Sequence, residues 1–257
     1  MNWKYLNTGF NSGQFNMDFD LFLVKNILPG EKILRIYRWK PHCISLGFNQ
    51  SEKSLNLPKL KNDNIDYVKR PTGGRAILHS EELTYSVIYS LNSEQTVKEL
   101  YRELNLALKD GLSFYDNRLK QIELEHRQPD FSSLYKQEKG LICFAAAAKD
   151  EINFSDKKLI GSAQRKIGNV LLQHGSILCG ENHKKIVDYL NLKNESLEKI
   201  ENEIDKTTIS LQEILDTPVD YERLTVSIVK GFEKHFKMNF EKLPPDFLQT
   251  EILTAEL

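Results

Sequence analysis

Residues 70–79 read Arg70-Pro71-Thr72-Gly73-Gly74-Arg75-Ala76-Ile77-Leu78-His79. Pro71 restricts its own φ and biases the residue before it toward extended geometry. The two glycines permit positive φ and let the backbone approach a ligand closely. Two arginines beside bare backbone N–H groups suit an anionic or carbonyl-bearing ligand. The alternative is an ordinary type II turn between two strands, with both arginines on the surface.

The composition is that of an ordinary globular protein. The chain has 257 residues, of which 40% are hydrophobic and 28% charged. It carries 35 basic and 36 acidic residues, for a formal net charge of −1, which argues against bulk electrostatic binding of nucleic acid. We therefore expect no nucleic-acid partner.

Cysteine usage and the first residues predict a cytoplasmic location. Cys43, Cys143 and Cys179 are an odd number without CxxC spacing, so a disulfide framework or a structural zinc site is not expected. Asp18 and Asp20 interrupt the first apolar stretch, which is not typical of a signal peptide. Since no apolar run approaches the ~20 residues of a membrane span, we expect no membrane association.

The hydrophobic pattern predicts strands before and after a central helix. Helices are expected over 13–28, 96–112 and 183–191 and from Tyr221 to Phe236, and 193–206 is expected to be an irregular linker or a helix surface. Strands are expected over 33–39, 43–47, 66–70, 76–79, 83–89, 149–154, 158–164 and 170–178, with a long loop over 117–139. Regular βαβ alternation is absent. The pattern favours an α+β fold with mixed, largely antiparallel sheets flanked by helices.

The stretch from Cys143 to Ser176 is the second region that could carry chemistry. Small residues, Ala145 to Ala148, follow the cysteine closely and would let a substrate reach its thiol. The alternative is that Cys143 fills core, as free cysteines usually do. Lys158 could lower a thiol pKa or hydrogen-bond a carbonyl oxygen as negative charge develops. In a strand, Lys157 and Lys158 point to opposite faces, so at most one of them faces a site.

Small and polar residues complete this region. Gly161, Ser162 and Ala163 suit a backbone that passes close to a ligand, or simply a tight bend. His79 and His174 could each orient a neighbour or act as a base, and a structural role is equally open. The sequence lacks a Gly-x-Ser-x-Gly elbow, a Gly-x₄-Gly-Lys-Ser/Thr loop and a Gly-x-Gly-x-x-Gly fingerprint.

Taken together, the motifs resemble the biotin/lipoate protein ligase and octanoyltransferase superfamily. The matching segments are 70–79 with Glu82-Leu-Thr-Tyr-Ser86, Ser45-Leu-Gly47 with Gln50, Cys143-Phe144, Lys158-Leu-Ile-Gly-Ser-Ala-Gln164, and Gln173-His-Gly-Ser176. They occur in family order over about residues 1–180. The branch with the greatest resemblance is the cysteine-type octanoyl-[acyl carrier protein]:protein octanoyltransferase.

The resemblance implies a biotin/lipoate protein ligase-like fold and a two-step acyl transfer. Cys143 would take octanoate from acyl carrier protein as a thioester, and a lysine of a lipoyl domain or glycine-cleavage H-type protein would then attack it. Lys158 would hold the acyl carbonyl. Residues 70–79 and the two later motifs would line the acyl site, through the residues Arg70, Thr72, Gly73, Gly74, Arg75, Ala76, His79, Gly161, Ser162, Ala163 and His174. No cofactor and no metal are implied, and 1–257 would form a single catalytic domain whose part 181–257 is mostly helical.

Two other functions remain open at this point. An ATP-dependent lipoate–protein ligase would use ATP and Mg²⁺ to form an acyl-AMP intermediate without a cysteine. Ligases more often have Gly-Gly-Gly-Ala where this chain has Gly73-Gly74-Arg75-Ala76. A non-catalytic module that binds a lipoyl group or a carrier is the second alternative. The chain also departs from the usual family pattern at Ser80, where an acidic residue is common, and in the alanines after Cys143.

Overall fold

A computed structural model of the protein describes residues 3–92, 95–125 and 151–242. The strands in these ranges are β1 (Trp3–Asn11), β2 (Lys32–Trp39), β3 (Cys43–Leu46), β4 (Asp66–Lys69), β5 (Ile77–His79), β6 (Glu82–Ser90), β7 (Glu123–Leu124), β8 (Ile152–Phe154), β9 (Lys157–Ile167), β10 (Val170–Leu178) and β11 (Glu241–Lys242). The α-helices are α1 (Gly13–Asn26), α2 (Leu57–Asn62), α3 (Val97–Tyr115), α4 (Asn194–Thr207), α5 (Leu211–Leu215) and α6 (Tyr221–Phe236). Short 3₁₀ helices cover Glu52–Ser54, Asn117–Gln121 and Asn182–Tyr189.

The strands form a large and a small sheet. The large sheet has the order β11-β1-β2-β6-β10-β9-β8-β7, and the small one has the order β4-β3-β5. Within these sheets β1 pairs in parallel with β2 and β11, and β3 with β4, whereas the other neighbours are antiparallel. This arrangement confirms the predicted α+β class with mixed, largely antiparallel sheets.

Helices cover both faces of the large sheet. On one face, α3 and α6 bury Leu104, Ile228 and Phe232 in the main core cluster. On the other face, Phe19 and Leu23 of α1 belong to a second apolar cluster. Each large apolar side chain removed from water contributes about 1.5–3 kcal/mol. Central strands such as β6 are therefore buried along their whole length.

Most predicted elements are present, and the differences concern one helix, the first strand and one expected loop. The segment 193–206, expected to be an irregular linker or a helix surface, forms α4, in which Ile200 and Ile204 lie one turn apart and are both buried. Strand β1 was not predicted, since its apolar residues do not alternate and a register shift occurs between Asn7 and Gly9. Part of the expected long loop at 117–139 is a 3₁₀ helix and β7, and 126–139 lies outside the described residues.

Two further observations concern membrane spans and metal ions. None of the described helices is both long and apolar enough to cross a bilayer. Among the residues described, no group of three or more His, Cys, Asp or Glu side chains is placed to hold a metal ion.

Candidate active site

A mostly apolar pocket lies where α1, the small sheet and the centre of the large sheet meet. Its volume is about 30 Å³, which is room for about two water molecules. An acyl chain would therefore have to displace side chains, and the flexible thioether of Met17 is the most adaptable of them. The pocket is lined by Met17, Tyr37, Trp39, Ser45, Arg70, Ile77, His79, Thr84, Gly161, Ser162, Ala163, His174, Gly175 and Ser176.

Arg70 anchors the loop at residues 70–75. Its buried guanidinium donates to the carbonyl oxygens of Ser45 at 2.9 Å, Gly73 at 3.0 Å and Arg75 at 2.7 Å. Hydrogen bonds that involve a charged donor are about twice as strong as neutral ones. The loop is thus folded around this side chain, which serves as an anchor and also contributes to the pocket wall.

Gly74 of the loop closely approaches Gly47, the residue that follows β3. Gly74 has a φ of +88°, which lies in the left-handed region. A Cβ atom added at Gly47 would lie 2.0 Å from the carbonyl oxygen of Gly74. The backbone of Phe48 also donates to the carbonyl oxygen of Thr72 at 2.9 Å. These contacts attach the loop to the end of β3.

His79 lies in a buried polar cluster on one wall of the pocket. Its Nδ1 is 2.7 Å from Glu82 Oε1, and its Nε2 is 2.7 Å from Ser45 Oγ. The imidazole stacks on Trp39, with ring centroids 4.0 Å apart. Burial alone would raise the pKa of Glu82, but the His79 charge and the hydrogen bonds to that carboxylate outweigh it, so the pKa is lowered. Glu82 is therefore an ionised acceptor that orients the imidazole.

His174 belongs to a second network that reaches α1. Its Nε2 lies 2.6 Å from Thr72 Oγ1, and its Nδ1 lies 3.5 Å from Asp20 Oδ2. Asp20 also pairs with the buried Arg35 at 2.7 Å. Burial would raise the pKa of Asp20, but Arg35 and His174 outweigh it and lower the pKa. Burial lowers the pKa of His174 in spite of Asp20, which favours a neutral ring.

Lys158 lies on β9 with its side chain buried. Its Nζ is 2.8 Å from Glu151 Oε2, and both side chains are at most 4% exposed. The register with β8 skips Leu159, because Ile152 pairs with Ile160 and Asn153 with Lys158. Leu159 and Ile160 therefore both point into the core. Lys158 then lies on the same face of β9 as Gly161. Lys157 is more exposed, as expected for its neighbour on the opposite face.

Close packing of β9 and β10 explains the small residues at Gly161–Ala163 and at Gly175. Ser162 pairs with Gly175 and Ala163 with His174 across the two strands. A Cβ atom added at Gly175 would lie 2.7 Å from the carbonyl oxygen of Gly161 and 2.8 Å from Tyr85 Cε1. Ser162 Oγ also lies 2.7 Å from the hydroxyl of Tyr85, whose pKa burial raises to about 12. The motif thus allows the strands to approach closely.

The structure gathers only part of the predicted site. Arg70, His79, Gly161, Ser162, Ala163 and His174 line the pocket. Thr72 contacts His174, Gly73 and Gly74 form the loop tip, and Arg75 and Ala76 are buried outside the pocket lining, Ala76 in an apolar cluster. Lys158 shares its strand face with the pocket wall without lining the cavity. Cys143 lies outside the described residues.

Sequence reasoning missed the buried carboxylate that supports His174. Asp20 lies on the buried face of α1 with Asn16 and Leu23, at helical spacing. A charged residue at a core position is rarely fully buried without a partner. That signal was available in the sequence, whereas the identity of its partners, Arg35 and His174, was not.

We expect the free energy of unfolding to decrease as the pH falls from 7 to 5.5. The unfolded chain binds a proton at each histidine near pH 6.5, whereas burial lowers the pKa of His174 and His183 in the folded protein. The unfolded state then binds more protons, so stability decreases toward lower pH by up to about 1.4 kcal/mol per pH unit for each such group. Urea unfolding at several pH values measures this slope.

The matched variants are His174→Gln and His42→Gln. The first should reduce the slope of stability against pH, and the second, at an exposed position, should leave it nearly as in the wild type. An unchanged slope in His174→Gln would contradict the assignment of a neutral buried ring.

Known proteins match most of the length of this chain. The protein-family sequence model of the lipoyl protein ligase A/B catalytic domain matches residues 12–233 of this chain. Octanoyltransferase LipM of Lysinibacillus sphaericus is 30% identical over 264 residues, which cover 98% of this chain and 94% of that protein. Octanoyltransferase LipM of Staphylococcus aureus is 31% identical over 261 residues, covering 99% and 93%.

Solved structures show the same fold at low sequence identity. A bipartite lipoate protein ligase from Thermoplasma acidophilum superposes with a TM-score of 0.74 at 17% identity, over 100% of this chain and 95% of that one. A lipoate-protein ligase A bound with ATP gives 0.74 at 17% identity, over 99% and 95%. The chain belongs to the lipoyl protein ligase A/B catalytic domain family, and it is an acyltransferase.

Proposed function

We propose that this acyltransferase moves an octanoyl group from acyl carrier protein to a lysine of a lipoyl-accepting protein, through a thioester on Cys143. One observation carries the proposal: the similarity to octanoyltransferases extends over 98% of this chain and 94% of the relative. The acceptor is a lipoyl domain or a glycine-cleavage H-type protein. The reaction belongs to protein lipoylation.

The chemistry proceeds in two balanced steps. The Cys143 thiolate attacks the donor's thioester carbonyl, and the pantetheine sulfur leaves and takes up a proton. The neutral amine of the acceptor lysine then attacks the acyl-enzyme. An amide C–N bond forms, the bond between the carbonyl carbon and Cys143 Sγ breaks, and the amine loses a proton. Cysteine suits this role because it is a strong nucleophile near neutral pH.

Lys158 is the proposed donor to the carbonyl oxygen in both steps. Its ammonium group would stabilise the negative charge that develops on that oxygen, as an oxyanion-hole donor does. Glu151, 2.8 Å away, holds the Nζ atom in place. The neighbouring Gly161–Ala163 segment lies on the pocket wall, and Gly161 and Ala163 share a face of β9 with Lys158, so a substrate bound there would lie beside the proposed donor.

No nucleotide enters these steps. Exchange of one thioester for another is nearly balanced in free energy, and aminolysis of a thioester to an amide is favourable. We therefore propose that ATP and Mg²⁺ are not required. The proposed setting is the cytoplasm, where acyl carrier proteins and lipoyl domains would both be available.

The test is intact-protein mass spectrometry of the wild-type protein after incubation with octanoyl-acyl carrier protein, without ATP. We expect a mass increase equal to one octanoyl group, which disappears when a lipoyl domain is added and reappears on that domain. Hydroxylamine should remove the adduct, because it cleaves thioesters.

Two results would refute the proposal. Modification of the lipoyl domain only when ATP and free octanoate or lipoate are supplied would identify an ATP-dependent ligase. No modification under either condition, with tight binding of the carrier or the lipoyl domain, would identify a binding module.

A further inference from the structure

A second cavity adjoins the candidate active-site pocket and differs from it in size and charge. It is an open groove of about 370 Å³ between α1 and the ends of β3, β4 and β9. The groove is lined by Gln14, Met17, Asp18, Leu21, Phe48, Lys69, Arg70, Pro71, Arg165 and Ile167. Met17 and Arg70 also line the pocket, so a ligand could extend from one cavity into the other.

The groove presents an aromatic ring between two exposed cations. Phe48 is 47% exposed, and the guanidinium carbon of Arg165 lies 4.4 Å from its ring centroid. Lys69 Nζ lies 5.8 Å from the same centroid. Cation–π contacts of this kind hold charged groups close to a ring face. The whole chain has a formal net charge of −1, so this concentration of positive charge is local.

The backbone of the loop at residues 70–75 holds Arg165 and Phe48 in place. Arg165 Nη1 donates to the carbonyl oxygen of Pro71 at 2.8 Å, and the N–H of Phe48 donates to Thr72. The opposite wall carries one carboxylate, Asp18, which accepts hydrogen bonds from Gln14 at 2.9 Å. The groove therefore combines a fixed apolar surface with an excess of positive charge.

The spacing along β9 relates this groove to the proposed reaction centre. The register skip at Leu159 places Lys158, Gly161, Ala163 and Arg165 on one face of the strand. Lys158 and Arg165 are then about 20 Å apart at the usual rise per strand residue. A 4′-phosphopantetheine thioester is an extended arm of two amide-linked units, with the acyl carbonyl at one end and the phosphate at the other.

We propose that the groove of Phe48, Lys69 and Arg165 binds the phosphate end of the 4′-phosphopantetheine arm of the acyl donor. Lys69 and Arg165 contact the phosphate oxygens, and Phe48 packs against the apolar dimethyl part of the arm. The inference rests on the proposed function, because it requires a pantetheine thioester as donor.

The test compares two small donors that differ only in the phosphate, octanoyl-4′-phosphopantetheine and octanoyl-pantetheine. The measured quantity is the ratio of their kcat/KM values with a lipoyl domain as acceptor. We expect the wild type to prefer the phosphorylated donor, and Arg165→Gln and Lys69→Gln each to reduce the ratio about tenfold. The ratio cancels any general loss of activity from a disturbed loop.

Lys166→Gln is the matched control. Lys166 is an exposed cation next to Arg165, but alternation along β9 places it on the opposite face. The control should keep the wild-type ratio. Arg165→Lys, which retains the charge, should recover most of the preference.

Three outcomes would overturn the inference. Transfer from both donors without a phosphate preference shows that the groove does not bind the phosphate. An Arg165→Gln variant whose KM rises for the lipoyl domain, with an unchanged donor ratio, assigns the groove to the acceptor. No transfer from either donor, or from octanoyl-acyl carrier protein, refutes the proposed function and the inference with it.

Discussion

Replacing Cys143 with alanine is expected to abolish the octanoyl adduct and to reduce acyl transfer by about 10⁴-fold or more. In the proposed mechanism the Cys143 thiol carries the acyl chain between donor and acceptor, so this variant would retain only direct attack by the acceptor lysine on the bound donor. The measurements are the intact mass after incubation with octanoyl-acyl carrier protein and the rate of lipoyl-domain modification.

The other two cysteines provide matched controls. Cys43 and Cys179 are buried, and burial raises the pKa of both thiols, which makes them poor nucleophiles at neutral pH. We expect Cys179→Ala to form the adduct as the wild type does. An octanoyl adduct that persists in Cys143→Ala and disappears in Cys179→Ala would move the nucleophile to Cys179 and contradict the mechanism.

Replacing Lys158 with alanine is expected to reduce acyl transfer by about 10²–10³-fold, the usual loss for one oxyanion donor. The same change has a second consequence, because Glu151 would lose a cation that lies 2.8 Å from its carboxylate in a buried site. Breaking a buried ion pair on one side costs about 3–5 kcal/mol of folding free energy. Loss of activity in this single variant could therefore arise from unfolding alone.

A double variant separates the two effects. Lys158→Met combined with Glu151→Gln removes both charges and keeps similar volumes, so we expect urea unfolding to show most of the lost stability restored. Activity should stay low, because the proposed donor to the carbonyl is still missing. Glu151→Gln alone should also lose stability, because it leaves the Lys158 charge without its carboxylate. Since it retains Lys158, its activity per folded molecule should be considerably higher than that of the double variant. Near wild-type transfer by the double variant would exclude Lys158 from the reaction.

The loop at 70–79 shows how far local sequence information extends. Pro71, Gly73 and Gly74 predict a tight turn with an unusual backbone, and Gly74 has a positive φ. The sequence left open whether the arginines contact a ligand or anchor the loop. The structure gives Arg70 the anchoring contacts, because its carbonyl partners on Gly73 and Arg75 come together only when the loop is closed.

Secondary structure was likewise predicted closely only where the local residues determine it. Strands with strong β-branched or aromatic patterns, such as β2 and β6, were predicted closely, since their own residues determine them. For α4 the sequence left a linker and a helix surface both open, because charged residues dominate its pattern. Only the packing of Ile200 and Ile204 in the small sheet's apolar cluster shows their role.

The sequence by itself determined the α+β class, the order of the motifs, the family and the residue types at the site. These follow from local periodicity, from turn chemistry and from motif resemblance. Only the tertiary structure decided which side chains meet: Thr72 with His174, Asp20 with Arg35 and His174, and Phe48 with Arg165. The physical reason is that these contacts join distant parts of the chain through strand register and helix packing, and no local pattern encodes the partner of a buried charge.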